Sequence, residues 1–249
     1  MPTRDYTYFV SGKMYARLAG AAAGFEWPGL VDSLQIAIEE DVKTLLDRTT
    51  PGGGVYKEIR RINSMSLTIN HREIDKVTLA RALYGTSADV VGAAVVDEVH
   101  DAYIGAFIPL NHPGPYTALT VKHDNTALTV VSADQYELVA GGIRILDDAD
   151  ELDDGDGIKV SYTHPAYSRV QALTGTAPEL EIHFAGQNEA AENKEVNVRL
   201  HKVRLGPAQS LDLLSGDDFG ALQLTGQVLK DTTKTGEGIS QYLYEDLVA

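Results

Sequence analysis

The sequence predicts a mainly β fold: a sandwich or barrel with one flanking α-helix and an inserted small β-sandwich domain. Three observations carry this. Residues Glu179 to Asp231 hold three runs that alternate apolar and polar positions: Leu180, Ile182 and Phe184, then Val196, Val198 and Leu200, then Leu222, Leu224 and Val228. Alternation of period two marks a strand with one buried and one wetted face, and Gly186-Gln187-Asn188 and Gly206-Pro207 supply turn chemistry between the runs. One stretch alone carries a strong helix signal. An internal acidic stretch shows short strand runs at regular spacing, the pattern of a small sandwich.

Tyr6 to Leu18 reads as a first strand, with Gly12 weakening its middle, and Ala19 to Gly29 is small and loop-like. Trp27, the single tryptophan, is expected to anchor a core or a subunit contact. From Val31 onward, Leu34, Ile36 and Ile38 alternate with Gln35, Ala37 and Glu39. After the flexible tract Pro51-Gly52-Gly53-Gly54, Ile59 to Asn70 returns with Met65, Leu67 and Ile69 on one face and Ser64, Ser66, Thr68 and Asn70 on the other. Two long strands joined by a Pro/Gly tip form an extended hairpin. The triglycine lacks the GxxxxGK[ST] context of a phosphate cradle.

The helix follows. Asn70 is the expected N-cap, answered by Glu73 three residues on, with Ile74, Val77, Ala80 and Tyr84 as the apolar stripe and Gly85 as the stop. The apolar tract 88–96 then leads into the insert, an Ig-like β domain over residues 97–164. Short strands are expected there at Ala102–Leu110, Leu119–Lys122, Leu128–Ser132, Gln135–Val139, Gly142–Leu146 and Ile158–Tyr162. The main domain thus comprises residues 1–96 and 165–249. It ends in a polar connector, Thr232 to Gly238, and an apolar arm, Ile239–Ala249, with Tyr242, Leu243, Tyr244 and Leu247.

The net charge of −15 disfavours free attraction to nucleic-acid phosphates. Residues 97–164 hold 13 Asp and Glu against Lys122, Arg144 and Lys159, a net of −10, which leaves −5 for the rest. No apolar window approaches the roughly 20 residues of a membrane span, and the start MPTRDYTYFV lacks the pattern of a signal peptide. With no cysteine, disulfide and thiolate chemistry are excluded.

Chemistry-bearing constellations are weak. The acid run Asp147 to Gly157 departs from calcium-loop spacing at Leu152 and lacks flanking helices, so it reads as a solvated connection. His183 and His201 fall on the polar faces of neighbouring strands, two zinc ligands without a third. No GxSxG or GxGxxG is present. No enzyme, cofactor or metal is expected.

The order of GKMYARL, the hairpin DSLQIAIEED…KEIRRINSMSLTIN, the helix ending ALYG, and VRLHKVRLGPAQSLDLLSGDDFGALQLTGQVLKD resembles the major tail tube protein of long-tailed bacteriophages. The resemblance covers roughly residues 8–95 and 166–231. It implies a virion structural protein, made in the host cytoplasm, whose six-fold rings close an inner β-barrel and stack into the conduit for DNA ejection. Implied partners are further copies of the chain and the terminator, tape measure and distal tail proteins, with DNA passing unbound. The lumen-facing set would be Gln35, Ala37, Glu39, Ser64, Ser66, Thr68, Gln223, Thr225 and Gln227. Subunits would be bridged by the tip Pro51, Gly52, Gly53 and Gly54 and by the arm residues Tyr242, Leu243, Tyr244 and Leu247. The alternatives are another virion location, such as a tail terminator or head decoration protein, and a soluble β-sandwich binding module.

Overall fold

A computed structural model describes residues 7–49, 51–125, 127–211, 214 and 219–248. The predicted alternation forms the main sheet. Its strands are β1 (Val10–Leu18), β2 (Val31–Asp47) and β3 (Gly54–His71), followed after the insert by β12 (Glu179–Asn188), β13 (Lys194–Leu205), β14 (Leu222–Val228) and β15 (Leu243–Leu247). They stand in the order β1-β12-β13-β14-β3-β2, with β15 on β13, all antiparallel. Met14 and Ala16, Leu67 and Ile69, Leu180 and Ile182, Leu200 and Val203, and Leu222 and Leu224 point into one core. Each buried Leu or Ile contributes about 1.5–3 kcal/mol, which holds the face assignment of β3, β12, β13 and β14.

Two local corrections follow from packing. β1 begins at Val10, and Gly12 is required rather than weakening: a Cβ there would lie 2.4 Å from the Ala185 carbonyl oxygen and 2.8 Å from the Phe184 ring. The Phe184 ring lies against Gly12 and its register partner Gly186, so Phe184 is half-buried. On β13 the alternation also changes frame. A bulge on the β12–β13 pair sets Leu180 opposite Val203 but Ile182 opposite Leu200, so buried positions shift from even to odd numbers after Leu200.

Helix α1 spans Lys76–Ala82, and its N-cap is Asp75, not Asn70. The Asp75 carboxylate accepts from the Thr78 N–H at 2.7 Å. Asn70 is held inside β3, paired with Gln223 and Ser33, and Glu73 instead accepts from the Leu30 N–H. Thr78, Ala80 and Ala82 are buried while Ile74 is exposed, so the stripe is rotated from the predicted one. Tyr84, at φ 49°, takes the left-handed stop assigned to Gly85, whose N–H bonds back to the Ala80 carbonyl.

A second compact unit covers residues 88–169, wider than the expected 97–164. A two-stranded ribbon of β4 (Thr86–Val90) and β11 (Tyr167–Gln171) carries the chain out and back. β5 (Ala93–Asp101) pairs β10 (Gly157–His164) as far as Ala93 opposite His164, which moves the boundary outward. β7 (Thr117–His123) completes that sheet, and β6 (Phe107–Pro109), β9 (Gly142–Ile145) and β8 (Tyr136–Val139) form the other. Ile108, Val121, Ile143, Ile145, Ile158 and Val160 share one core between them. Among the described residues each of these sheets has three strands, fewer in all than the seven of an Ig domain. The expected strand at Ala102–Leu110 shrinks to Phe107–Pro109, and that at Leu128–Ser132 to a bridge between Val130 and Lys122. Among the described residues no helix is long and apolar enough to cross a membrane.

Candidate assembly face

The outer face of β14, β3 and β2 is built from the residues that the core leaves outward. Because Leu67, Ile69, Leu222 and Leu224 are buried, their neighbours in sequence must turn away from the core. Register then sets them in rows: Gln223, Asn70 and Ser33; Thr225, Thr68 and Gln35; Gln227, Ser66 and Ala37; and finally Ser64 with Glu39. All nine residues expected on a lumen therefore share one surface in contiguous register. Gln35, Ala37, Glu39, Gln223 and Gln227 are exposed, and Ser64, Ser66, Thr68 and Thr225 are half-buried between them. The Asn70 amide donates to the Ser33 hydroxyl at 2.6 Å. Glu39 is the one charge in these rows, and it accepts from the Ser64 hydroxyl at 2.8 Å.

The rows end at a bulge, where Glu39 faces Ser64 but Glu40 faces Ile62. Beyond it the β2–β3 hairpin continues away from the core. Leu45, Leu46, Val55, Tyr56, Ile59 and Ile62 are all at least 46% exposed there, an apolar surface with nothing of this unit over it. Arg60 pairs with Glu40 and Glu58 across and along the hairpin. Pro51 and Gly52 form the turn, with Gly52 and Gly53 at φ 101° and 39°, conformations that favour glycine, and Gly54 opens β3. β2 pairs β3 on one side, which leaves its other edge, 17 residues long, without a strand among the described residues.

The rest of the sheet's outer face has a different character. Glu181, 6% exposed, accepts from Arg17 Nε and Arg199 Nε, each at 2.7 Å. Both guanidiniums lie over the Phe25 ring, at 4.4 and 5.5 Å. Burial acts to raise the Glu181 pKa, but the hydrogen bonds and charges of the two arginines outweigh it and hold the carboxyl below the usual range. Glu179 bonds Lys202 and Arg204 in the same way. Arg204 is the register partner of Gln227, so the uncharged rows begin where this charged network stops. Neither network was legible in the sequence, since nothing local pairs Arg17 with a residue 164 positions away.

The remaining candidates fall elsewhere. Tyr242 and Leu243 pack against the core of their own unit, whereas Tyr244 and Leu247 are exposed on β15. Trp27 is 51% exposed, with the Lys13 ammonium 5.2 Å from its ring, and so is no core anchor. His183 contacts the Phe25 ring, and His201 is 7% exposed beneath Tyr244. Among the described residues, no group of three or more His, Cys, Asp or Glu is arranged to hold a metal. In the acid run, Asp147 pairs with Arg144, Asp154 accepts from the Ile104 N–H and Asp156 accepts from the Asp153 N–H, so these carboxylates close turns.

Residues 7–245 match the family described as Protein of unknown function UCP028589, and the chain belongs to that family. No curated protein matches it.

Proposed function

We propose that this chain is a virion structural protein that polymerises into stacked six-fold rings, forming the tail tube through which a long-tailed bacteriophage ejects its DNA. The observation that carries the proposal is the face of β14, β3 and β2, uncharged but for Glu39, standing beside the 17-residue open edge of β2. An open edge of that length is a template for pairing and stays soluble only when covered. A head-to-tail contact between unlike edges closes a ring where the rotation allows, and stacking rings makes a tube. Closure turns one sheet face into the lining of a bore. Gln, Ser, Thr and Ala side chains on the β14, β3 and β2 part of that lining offer phosphates no cation, and Glu39 repels them. The neighbouring Arg17, Arg199, Lys202 and Arg204 are already engaged by Glu181 and Glu179, which weakens counterion-release binding and lets DNA slide. The hairpin beyond Glu40 supplies the apolar surface that the next ring covers. The tube's ends would meet the terminator and distal tail proteins, and its bore the tape measure.

Negative-stain microscopy and sedimentation of the purified protein test this. Rings or tubes of uniform width are expected. A protein that stays monomeric at high concentration and shows neither form overturns the proposal.

A further inference from the structure

β14 and β15 lie along the same side of β13 and run in the same direction. Val228, the last residue of β14, pairs with Val203, and Leu243, the first of β15, pairs with Leu200. The two pairings stand three residue steps apart on β13, about 10 Å. A connector of two or three residues would prolong β14 straight into β15. The chain instead spends the 14 residues between Val228 and Leu243 on the passage. The excess forms a loop closed by the Asp231 N–H to the Gln241 carbonyl at 2.9 Å, by Thr233 on the Asp231 carboxylate, and by the Gln241 amide on the Lys234 carbonyl. Gly236 and Gly238, at φ 140° and 76°, lie in its middle. The bonds inside the loop are local, and the passage is tied to β13 at its two ends, by the Leu229 N–H on the Lys202 carbonyl and the His201 N–H on the Tyr242 carbonyl. Connectors of about this length are uncommon in compact domains and are usually functional or linker segments.

The surplus length matches a second destination. Extended, the connector reaches about 50 Å. The six-strand path of the sheet, repeated side by side, places the next copy's β13 about 29 Å away. We propose that in the assembled protein the C-terminal strand is exchanged, so that β15 of one copy pairs with Val196–Leu200 of the β13 of its neighbour. This rests on the self-assembly reading above and names the contact that ties copies together. The strand makes the same five register pairs in either position, so exchange sacrifices none of them. Association already holds neighbours side by side, which removes the entropic cost of finding one another. Docked at home, the arm leaves Ile239, Leu247 and Val248 more than half exposed, an apolar surface that home docking does not use. An emptied β13 would be an open edge, so each copy's strand must be replaced by another's.

The chain has no cysteine, which allows a direct test. Asn197 and Asp246 are register partners on β13 and β15. Copies carrying Asn197→Cys alone are mixed with copies carrying Asp246→Cys alone, assembled, sedimented and oxidised. A disulfide-linked dimer is expected in the pellet, and the double variant is expected to give a ladder of linked chains. Deleting residues 232–240 leaves a reach of about 20 Å, enough for the home site and too short for the neighbour. The double variant with that deletion is expected to keep its melting temperature and link only within chains. A pellet from the full-length double variant that is linked only within chains overturns the exchange and leaves the tube intact. A wild-type protein that forms no pellet removes the assembly reading, and the exchange falls with it.

Discussion

Ser66 of β3 stands directly opposite Gln227 of β14, each on the side of its strand that the core rejects. Their pairing joins two segments 161 residues apart into one surface whose single charge is Glu39, so a single substitution at Ser66 probes the proposed bore. Ser66→Arg is expected to leave folding and assembly intact, because the position is half-buried on the outer face. In a six-fold ring it installs a girdle of cations at every level, and DNA passage is expected to slow, with relief at higher salt. Ejection rates measured at two salt concentrations check this. Wild-type speed at low salt through normal tails would show that the face does not line a channel. Leu67→Arg, one residue on and 0% exposed, is expected to abolish folding, read as loss of the cooperative melt.

Gly186→Ala places a methyl group 2.5 Å from the Phe184 ring and 2.8 Å from the Ser11 carbonyl oxygen. Overpacking of this kind costs about 1–3 kcal/mol. The melting temperature should fall by several degrees. Phe184→Leu should restore part of the loss in the double variant, because the two residues share one contact.

Glu181→Gln leaves Arg17 and Arg199 without their common carboxylate. A charged hydrogen bond of this type is worth about 1.5–3 kcal/mol, and denaturant unfolding should show a loss of about 2 kcal/mol. The folded carboxyl has a lowered pKa, so its stabilisation is present above the ordinary glutamate value and is lost as pH falls through the folded one. Wild-type and Glu181→Gln stabilities should therefore converge as the pH drops below about 4.3.

His71 is 2% exposed beneath α1, with Nδ1 lacking a hydrogen bond. Burial pushes its pKa down; Asp75 opposes that shift and Arg81 adds to it. A depressed histidine binds its proton less well folded than unfolded. Its contribution is thus intact above about 6.5 and declines as the pH falls below that value. Melting temperatures between pH 7.5 and 5 should drop less in His71→Gln than in the wild type; equal slopes would assign the acid sensitivity to other groups.

The two units have separate cores, which makes the position of a cut decisive. Replacing residues 88–169 by a short linker should leave a cooperatively folding main sheet. Removing 97–164 instead strands Ala93, Ala94 and Val95 of β5 without their β10 partners and exposes the half-buried Val95 beside Val96, which is already exposed. That version should aggregate more readily, a difference that light scattering on heating would register.

Period-two alternation is local, so the faces of β2, β3, β12 and β14 were legible in the sequence: burying Leu67 and Ile69 forces Ser66 and Thr68 outward wherever the strand ends up. The length and tip of the hairpin were legible for the same reason. Partners were not. Asn70 reads as a helix cap until Gln223 and Ser33 claim its backbone for the sheet, which leaves the cap to Asp75. The bulge opposite Glu181, the clamp of Arg17 and Arg199 around it, and the fork that lets β14 and β15 share β13 depend on which strands meet and in what register. Those choices are made by the total apolar area buried over the whole core, a non-local quantity that no window of the chain contains.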